Sequence, residues 1–316
     1  MATQKELTRQ IFYTIDEAIG NFNSAIPDHQ RQLLAEIEVL LKGLELNGNN
    51  IKQSVNNLKL IAAIKSKLEQ AVNSPAYLND VRQYLQSFDT ITRLQNEYFG
   101  TLKRDFTPSP LLSEIRAQSL DSAFESLTAN GINKAITTRV QDVLRQNITS
   151  GSSYSKTMQQ VRDYLTDNST GQGAMARYTK QITTDALNQY SAQYTNAVTN
   201  DLGLDWFQYT GALIDTSRTL CEALIAKKWV HKSELPDIVK GNFAEFKERH
   251  GKINDKTGLP DGMIPGTTAQ NFHIYRGGYQ CGHQLIPADE SSVPLAVRIA
   301  TYTRLGIKHV NGVAVR

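Results

Sequence analysis

LLAEIEVLLKGLELNGNNIKQSVNNLKLIAAIKSKLEQAV, residues 33–72, carries the pattern that decides the fold class. Leu33, Leu34, Ile37, Leu40, Leu41 and Leu44 recur at three- and four-residue steps and so share one face of a helix. Asn47-Gly48-Asn49-Asn50 then interrupts the pattern, because Asn and Gly accept the backbone conformations that end a helix. Ile51, Val55, Leu58, Ile61, Ile64, Leu68 and Val72 resume the same period. Two apolar stripes joined by a short polar turn bury themselves against each other, which predicts a helical hairpin.

Working outward, Pro75 closes the second helix, and a third places Leu78, Val81, Leu85, Phe88, Ile91, Leu94 and Tyr98 on one face. The outer face of residues 1–106 is rich in Gln and Asn and carries no catalytic cluster, so the region reads as a helical extension that docks on something. The clearest boundary is 100–112, with Pro108 and Pro110. Helical spacing returns in Ile115, Leu120, Phe124 and Leu127, and after a break at Gly131 in Ile132, Ile136, Val140 and Leu144. Ser150-Gly151-Ser152-Ser153 stops that run. A short helix with Met158, Val161 and Leu165 inward follows, then a polar loop over 167–173 and a long helix over about 174–200. Residues 112–203 therefore read as an all-α middle region.

After Leu202-Gly203 the texture changes. Trp206-Phe207-Gln208-Tyr209-Thr210 is aromatic and alternating, which predicts a strand. Residues 226–270 read as loop-rich. Their basic residues (Lys227, Lys228, Lys232, Lys240, Lys247, Arg249, Lys252, Lys256) alternate with Glu234, Asp237, Glu245, Glu248 and Asp255, the pattern of a solvated surface rather than a phosphate track. Ile274-Tyr275 and Gln284-Leu285-Ile286 predict two further strands around Gly277-Gly278. The expected fold is mainly α: an N-terminal helical hairpin or bundle extension, a helical middle, a small α+β region with a few short strands over 204–290, and a slightly basic tail over 291–316.

The composition narrows the class. In 316 residues, 40% are hydrophobic and 21% charged, which suits a folded protein and excludes a disordered one. No apolar run approaches the roughly 20 residues of a membrane span. Met-Ala-Thr-Gln-Lys-Glu has no apolar segment of the secretory kind, so a cytoplasmic protein, or one packaged by an assembly made there, is expected. The net charge of +3 permits contact with nucleic acid without requiring it.

Four side chains carry the chemistry of interest: Cys221, Cys281, His283 and His273. Thiolate and imidazole are the ligands zinc prefers in a tetrahedral shell, and a structural zinc can hold together a loop-rich region with little core. Cys281-Gly-His283 puts two ligands on one side of an extended segment, with Gly282 allowing a tight turn. Cys221 would arrive from the other end of the region, with His273 or His231 as a fourth ligand. Two buried free thiols with surface histidines are the competing reading, and a disulfide is disfavoured in a cytosolic setting. A Cys–His nucleophile, Cys221 or Cys281 activated by His283 or His273, lacks an orienting carboxylate. In Asp215-Thr-Ser-Arg218, Asp215 is expected to cap a helix starting near Ser217, and Arg218 to pair with a carboxylate. No phosphate-cradling glycine loop, HExxH or paired-carboxylate motif is present, which sets aside an ATPase, a hydride-transfer enzyme and a zinc protease.

In their order these features resemble the phage Mu F-like minor head proteins, the phage head morphogenesis family. The family shows short helices, a longer helix, a strand with Trp or Tyr, a segment like Asp-x-Arg-Thr-Cys-x-x-Cys and a closing segment like His-Pro-x-Cys-Arg-Cys-x-Leu-x-Pro. Here the longer helix begins at Ile182-Thr-Thr-Asp-Ala-Leu-Asn-Gln-Tyr190 and the strand is Trp206-Phe-Gln-Tyr209. The next segment is Asp215-Thr-Ser-Arg218-Thr-Leu-Cys221-Glu-Ala-Leu224, and the closing one Tyr279-Gln-Cys281-Gly-His283-Gln-Leu-Ile-Pro287. The match spans roughly 115–290. Leu224 replaces the second Cys of the first pair, Gly278-Tyr279 stands for His-Pro, and His283 stands where the family often has a second Cys. The resemblance makes Asp215, Arg218, Trp206 and Pro287 a structural signature, with Cys221, Cys281, His283 and His273 as candidate zinc ligands.

The resemblance implies a structural, non-enzymatic virion component at the portal vertex or capsid interior, made in the host cytoplasm and acting in head morphogenesis and in DNA packaging or ejection. Its implied partners are the portal protein, capsid or scaffold proteins and viral double-stranded DNA bound without sequence specificity, with no membrane. Two alternatives are a phage-derived nuclease or toxin-like enzyme using the Cys and His residues with a metal, and a non-specific DNA-binding protein of the capsid interior.

Overall fold

The computed structural model describes residues 2–169 and 171–315; Thr170 in the 167–173 loop and the end residues of the 1–106 and 291–316 ranges lie outside them. The fold is mainly helical with a few short antiparallel strands, as the sequence predicts. The chain divides into two compact units: Met1–Tyr13, Thr90–Ala117 and Thr184–Arg316 make the first, Thr14–Asp89 and Gln118–Thr183 the second. Residues 1–106, read above as one extension, are thus shared between both. The reason is helix length. The unit boundaries fall inside α1 (Gln4–Leu41), α3 (Pro75–Leu102), α4 (Pro110–Leu127) and α8 (Ala174–Leu202), so a single helix serves both units. Among the described residues no helix is long and apolar enough to cross a membrane.

In the second unit the 33–72 pattern holds with one refinement. Leu33, Ile37, Leu41 and Leu44 are buried, as are Ile61, Ile64, Leu68 and Val72 of α2 (Val55–Val72), whereas Val55 and Leu58 are exposed. The turn between the helices is a two-stranded hairpin, β1 (Leu46–Asn47) and β2 (Asn50–Ile51), with Gly48 at positive φ. Buried Asn57 takes the interior position that Leu58 was expected to fill. Its amide donates to the Glu45 and Lys52 carbonyls and its Oδ1 accepts from the Glu45 N–H, tying the hairpin to α2. In α3, Tyr77 and Tyr84 are buried while Leu78 and Leu85 are half-buried. Each hydroxyl is satisfied by a main-chain carbonyl, Tyr77 at Leu127 and Tyr84 at Thr183.

The Gly131 break is a change of helical register. α5 (Ala129–Ile132) runs through a π-helical turn (Asn133–Thr137) into α6 (Thr138–Ser150), which packs with α7 (Tyr154–Leu165). Gly151 caps α6 in the left-handed conformation. Phe124, expected to point inward, is exposed, and Ala123 and Leu127 form the buried face of α4 there.

The first unit holds the region that carries the candidate site. Its sheet has the order β4 (Trp229–His231), β3 (Trp206–Thr210), β5 (Gln284–Ala288), antiparallel throughout, with Phe207 opposite Val230 and Pro287, and Tyr209 opposite Leu285. Side chains alternate across a strand, and each face has its own core. One face gathers Phe207, Tyr209, Val230 and Leu285 with Leu220 and Leu224 of α9 (Thr219–Lys227). Leu235, Ile238 and Val239 from α10 (Leu235–Val239), Phe246 from α11 (Ala244–Glu248), Met263, and Phe272 from α12 (Phe272–Tyr275) complete it. The other face packs Trp206 against Val293 and Tyr302 of the 291–316 segment, which forms α13 (Leu295–Leu305) and the hairpin β6 (His309–Val310)–β7 (Val313–Ala314). Trp206 Nε1 donates to the Tyr302 hydroxyl at 2.8 Å.

Two segments depart from their sequence patterns. Residues 226–270 are not only solvated surface: they supply Val230, Leu235, Ile238, Val239, Phe243, Phe246, Leu259 and Met263 to the larger core. Their helical turns are too short to show a period, so one or two apolar residues per turn read as scatter. Ile274-Tyr275 is helical rather than a strand, ending at Arg276 with φ 36°. Its β-favouring residues are outweighed by the burial of Phe272 and His273 on a single turn.

Candidate metal centre

The register of β3 and β5 sets the site. Tyr209 pairs with Leu285, so the diagonal neighbour of Tyr209 on that face is the residue two before Leu285, His283. Their rings stack with centroids 5.4 Å apart and 13° between planes. Gly211 clears the space for the imidazole: a β-carbon there would lie 2.6 Å from His283 Cδ2. α9 brings in Cys221 from 60 positions upstream of Cys281, and the two Sγ atoms sit 4.0 Å apart. Cys281 Sγ is 3.7 Å from His283 Nδ1, and His283 Nε2 is buried without a partner. Gly277 makes the approach of the sulfurs possible, because a β-carbon on it would fall 2.4 Å from Cys221 Sγ and 2.9 Å from Cys281 Sγ.

These three residues are buried and their ligand atoms lie within 4.8 Å of one another, so the group can hold a metal ion. The spacing suits a tetrahedral shell. With zinc bonds of about 2.3 Å to sulfur and about 2.0 Å to nitrogen, tetrahedral angles put two sulfurs about 3.8 Å apart and sulfur and nitrogen about 3.5 Å apart. The observed 4.0 and 3.7 Å are a slightly expanded version of that set.

The electrostatics favour one thiolate before any metal arrives. Cys281 is held well below the ordinary thiol value, chiefly by the hydrogen bond from Cys221, with His283 and Arg276 adding to it against the cost of burial. Cys221 is pushed up by that same bond and by burial. The Tyr209 hydroxyl lies beside Cys221 and is raised well above its usual value, first by burial. Its hydrogen bond with the Cys221 sulfur is a loose one, short of ordinary geometry. Arg276 is buried too. Its Nη1 donates to the His273 carbonyl at 2.7 Å and its Nη2 to the Asn188 carbonyl at 3.2 Å, while Nε has no partner. Among the described residues no carboxylate pairs with it.

The structure leaves the expected fourth ligands apart from this group. His273 is buried with its ring against Phe207, centroids 4.5 Å apart, and burial lowers its pKa to about 4. It is not among the residues whose ligand atoms converge. His231 belongs to the opposite face, where its ring meets Trp206 and Tyr302 and its Nδ1 accepts from the Ser233 N–H. Asp215 is not a cap: it is exposed in a turn, and the N-cap position of α9 is Arg218, with no side-chain capping bond. Nor, among the described residues, does Arg218 bind a carboxylate. Its guanidinium donates to the Tyr279 carbonyl at 2.8 Å and lies over Gly262, where a β-carbon would sit 2.4 Å from its Cδ. Gly282 has open space around it, so the tight turn expected of it is not what keeps glycine there. Pro287 pairs with Phe207 in β5, and its carbonyl accepts from the Tyr98 hydroxyl at 2.7 Å.

Sequence reasoning missed Tyr209 and Arg276. An alternating strand makes Tyr209 look like ordinary core, and Arg276 lies outside every sequence pattern singled out above; the available signal for Tyr209 was the diagonal i, j−2 relation once the strand pairing was known. Compared with known proteins, the chain matches no family model, no curated protein and no solved structure.

Proposed function

We propose that this chain is a structural minor head protein of a tailed bacteriophage or prophage, bound at the portal or capsid interior, in which Cys221, Cys281 and His283 hold a structural zinc ion. The observation that carries the reading is the enclosure of that cluster. A catalytic zinc keeps a position open to substrate, whereas a structural one is closed by the protein. Cys221 and Cys281 are 2% and 6% exposed, which favours a staple over a reaction centre. The ordered resemblance of residues 115–290 to head morphogenesis proteins supplies the biological setting. Zinc bound there would clip α9 to the loop preceding β5, and a clip that closes a long loop removes much unfolded-state entropy.

The partners proposed are the portal and capsid or scaffold proteins, with DNA held weakly and without sequence preference. Fractionation of purified particles tests the setting: the chain should travel with portal-containing heads at low copy, and its absence from heads and procapsids would overturn the assignment. Elemental analysis of the purified chain should give one zinc per molecule. A metal-free protein that neither takes up zinc nor gains stability from it would remove the staple. Retention on DNA should fall steeply with salt.

A further inference from the structure

The three converging ligands leave one corner of a tetrahedron open, and the surroundings are too buried for bulk water to fill it freely. We propose that Tyr209 supplies the fourth ligand, its phenolate oxygen completing a zinc centre of two cysteines, one histidine and one tyrosine. The inference rests on the zinc reading above and deepens it.

Three independent features point to Tyr209. The first is position: its ring stacks on that of His283, and its hydroxyl lies beside Cys221, so it borders two of the three ligands. The second is its poorly satisfied oxygen. A buried hydroxyl that has given up its water hydrogen bonds needs a good replacement, and Tyr209, 1% exposed, has only a loose contact with the Cys221 sulfur at the cysteine pair. The third is charge. A zinc dication with two thiolates and a neutral imidazole is neutral, which leaves the Arg276 guanidinium as an uncompensated buried cation. A phenolate ligand cancels it. Buried charge persists only when it is compensated.

On binding, zinc enters as the dication, and bonds form to both sulfurs, the imidazole nitrogen and the phenol oxygen. Counted from protonated side chains, two thiol protons and one phenol proton leave to solvent. The metal-free site keeps Tyr209 protonated; the dication is the largest local charge and reverses that preference.

Zinc titration of the metal-free full chain, followed by near-ultraviolet difference absorption, tests this. A phenolate band should grow to a plateau at one equivalent of zinc. Tyr209→Phe should still take up zinc through the other three residues, with no band and weaker affinity. If the wild-type chain binds one zinc with no phenolate band, Tyr209 is not a ligand and only the three-residue centre stands. If the wild-type chain binds no zinc, both readings fall. The wild-type band answers the question even where the variant misfolds, and Tyr98→Phe, away from the site, should leave it intact.

Discussion

Gly277→Ala is the sharpest perturbation of the centre, because it adds one methyl group where the sulfurs meet. The glycine is outside the positive-φ region, so alanine can adopt its backbone and the effect is steric. A β-carbon would lie 2.4 Å from Cys221 Sγ and 2.9 Å from Cys281 Sγ, against the 3.4 Å at which ordinary contact begins. The sulfurs must therefore retreat by 3.4 − 2.4 = 1.0 Å and 3.4 − 2.9 = 0.5 Å. Zinc–ligand distances tolerate only about 0.2 Å. Overpacking of this kind costs about 1–3 kcal/mol without metal. A tenfold loss of zinc affinity removes about 1.4 kcal/mol more of zinc-dependent stabilisation. Urea unfolding in chelator and at fixed free zinc separates the two: the variant should start lower in chelator and gain less from zinc. Gly282→Ala, between two of the ligands but with nothing within 4 Å of its added carbon, should behave as wild type. A Gly277→Ala protein indistinguishable from wild type in both conditions would refute the geometry of the centre.

Glu234 is buried and takes Lys227 at 2.9 Å, Arg304 and the His231 N–H at 2.7 Å, so Glu234→Ala should cost about 3 kcal/mol, read as a lowered urea midpoint with unchanged slope. For His273 the folded pKa, about 4, lies below the ordinary 6.5. Between these values the unfolded chain binds a proton that the folded one refuses, so stability falls as pH drops from 6.5 toward 4, by roughly 3 kcal/mol in all. His273→Phe should flatten that part of the stability–pH curve while remaining as stable as wild type at about pH 7.5, above the titration range; an unchanged slope would show that other groups carry it. Asn57→Ala should cost about 2 kcal/mol by leaving the Glu45 N–H and the Lys52 carbonyl unpaired, and amide exchange at Glu45 should quicken.

The helices were legible because their apolar spacing is a property of local sequence alone. What escaped was the polar interior. Asn57, Tyr77 and Tyr84 are buried because other parts of the chain satisfy them, as Thr183 does 99 positions after Tyr84. Residue type sufficed to single out Cys221, Cys281 and His283, since few side chains combine soft donors with burial. Choosing their companion did not follow from type. His273 and His231 were chemically suited, but strand register and α12 carry them to other neighbours, and register brings Tyr209 in instead. Apolar residues in 226–270 were invisible for want of a period, and Asp215 looked like a cap because the helix begins two residues later than its sequence suggests.

The interleaving of the two units has a consequence for synthesis. The second unit is complete once Thr183 has emerged, whereas the first includes residues 1–13 and also needs residues 184–316. At about 5–20 residues per second, the 316 − 183 = 133 residues of 184–316 take roughly 7–27 s to make. Throughout that interval Leu7 and Ile11, buried in the finished protein, have no completed unit to enter. The nascent chain thus carries an exposed apolar stripe at Leu7 and Ile11, a natural handle for a chaperone and a liability at high expression.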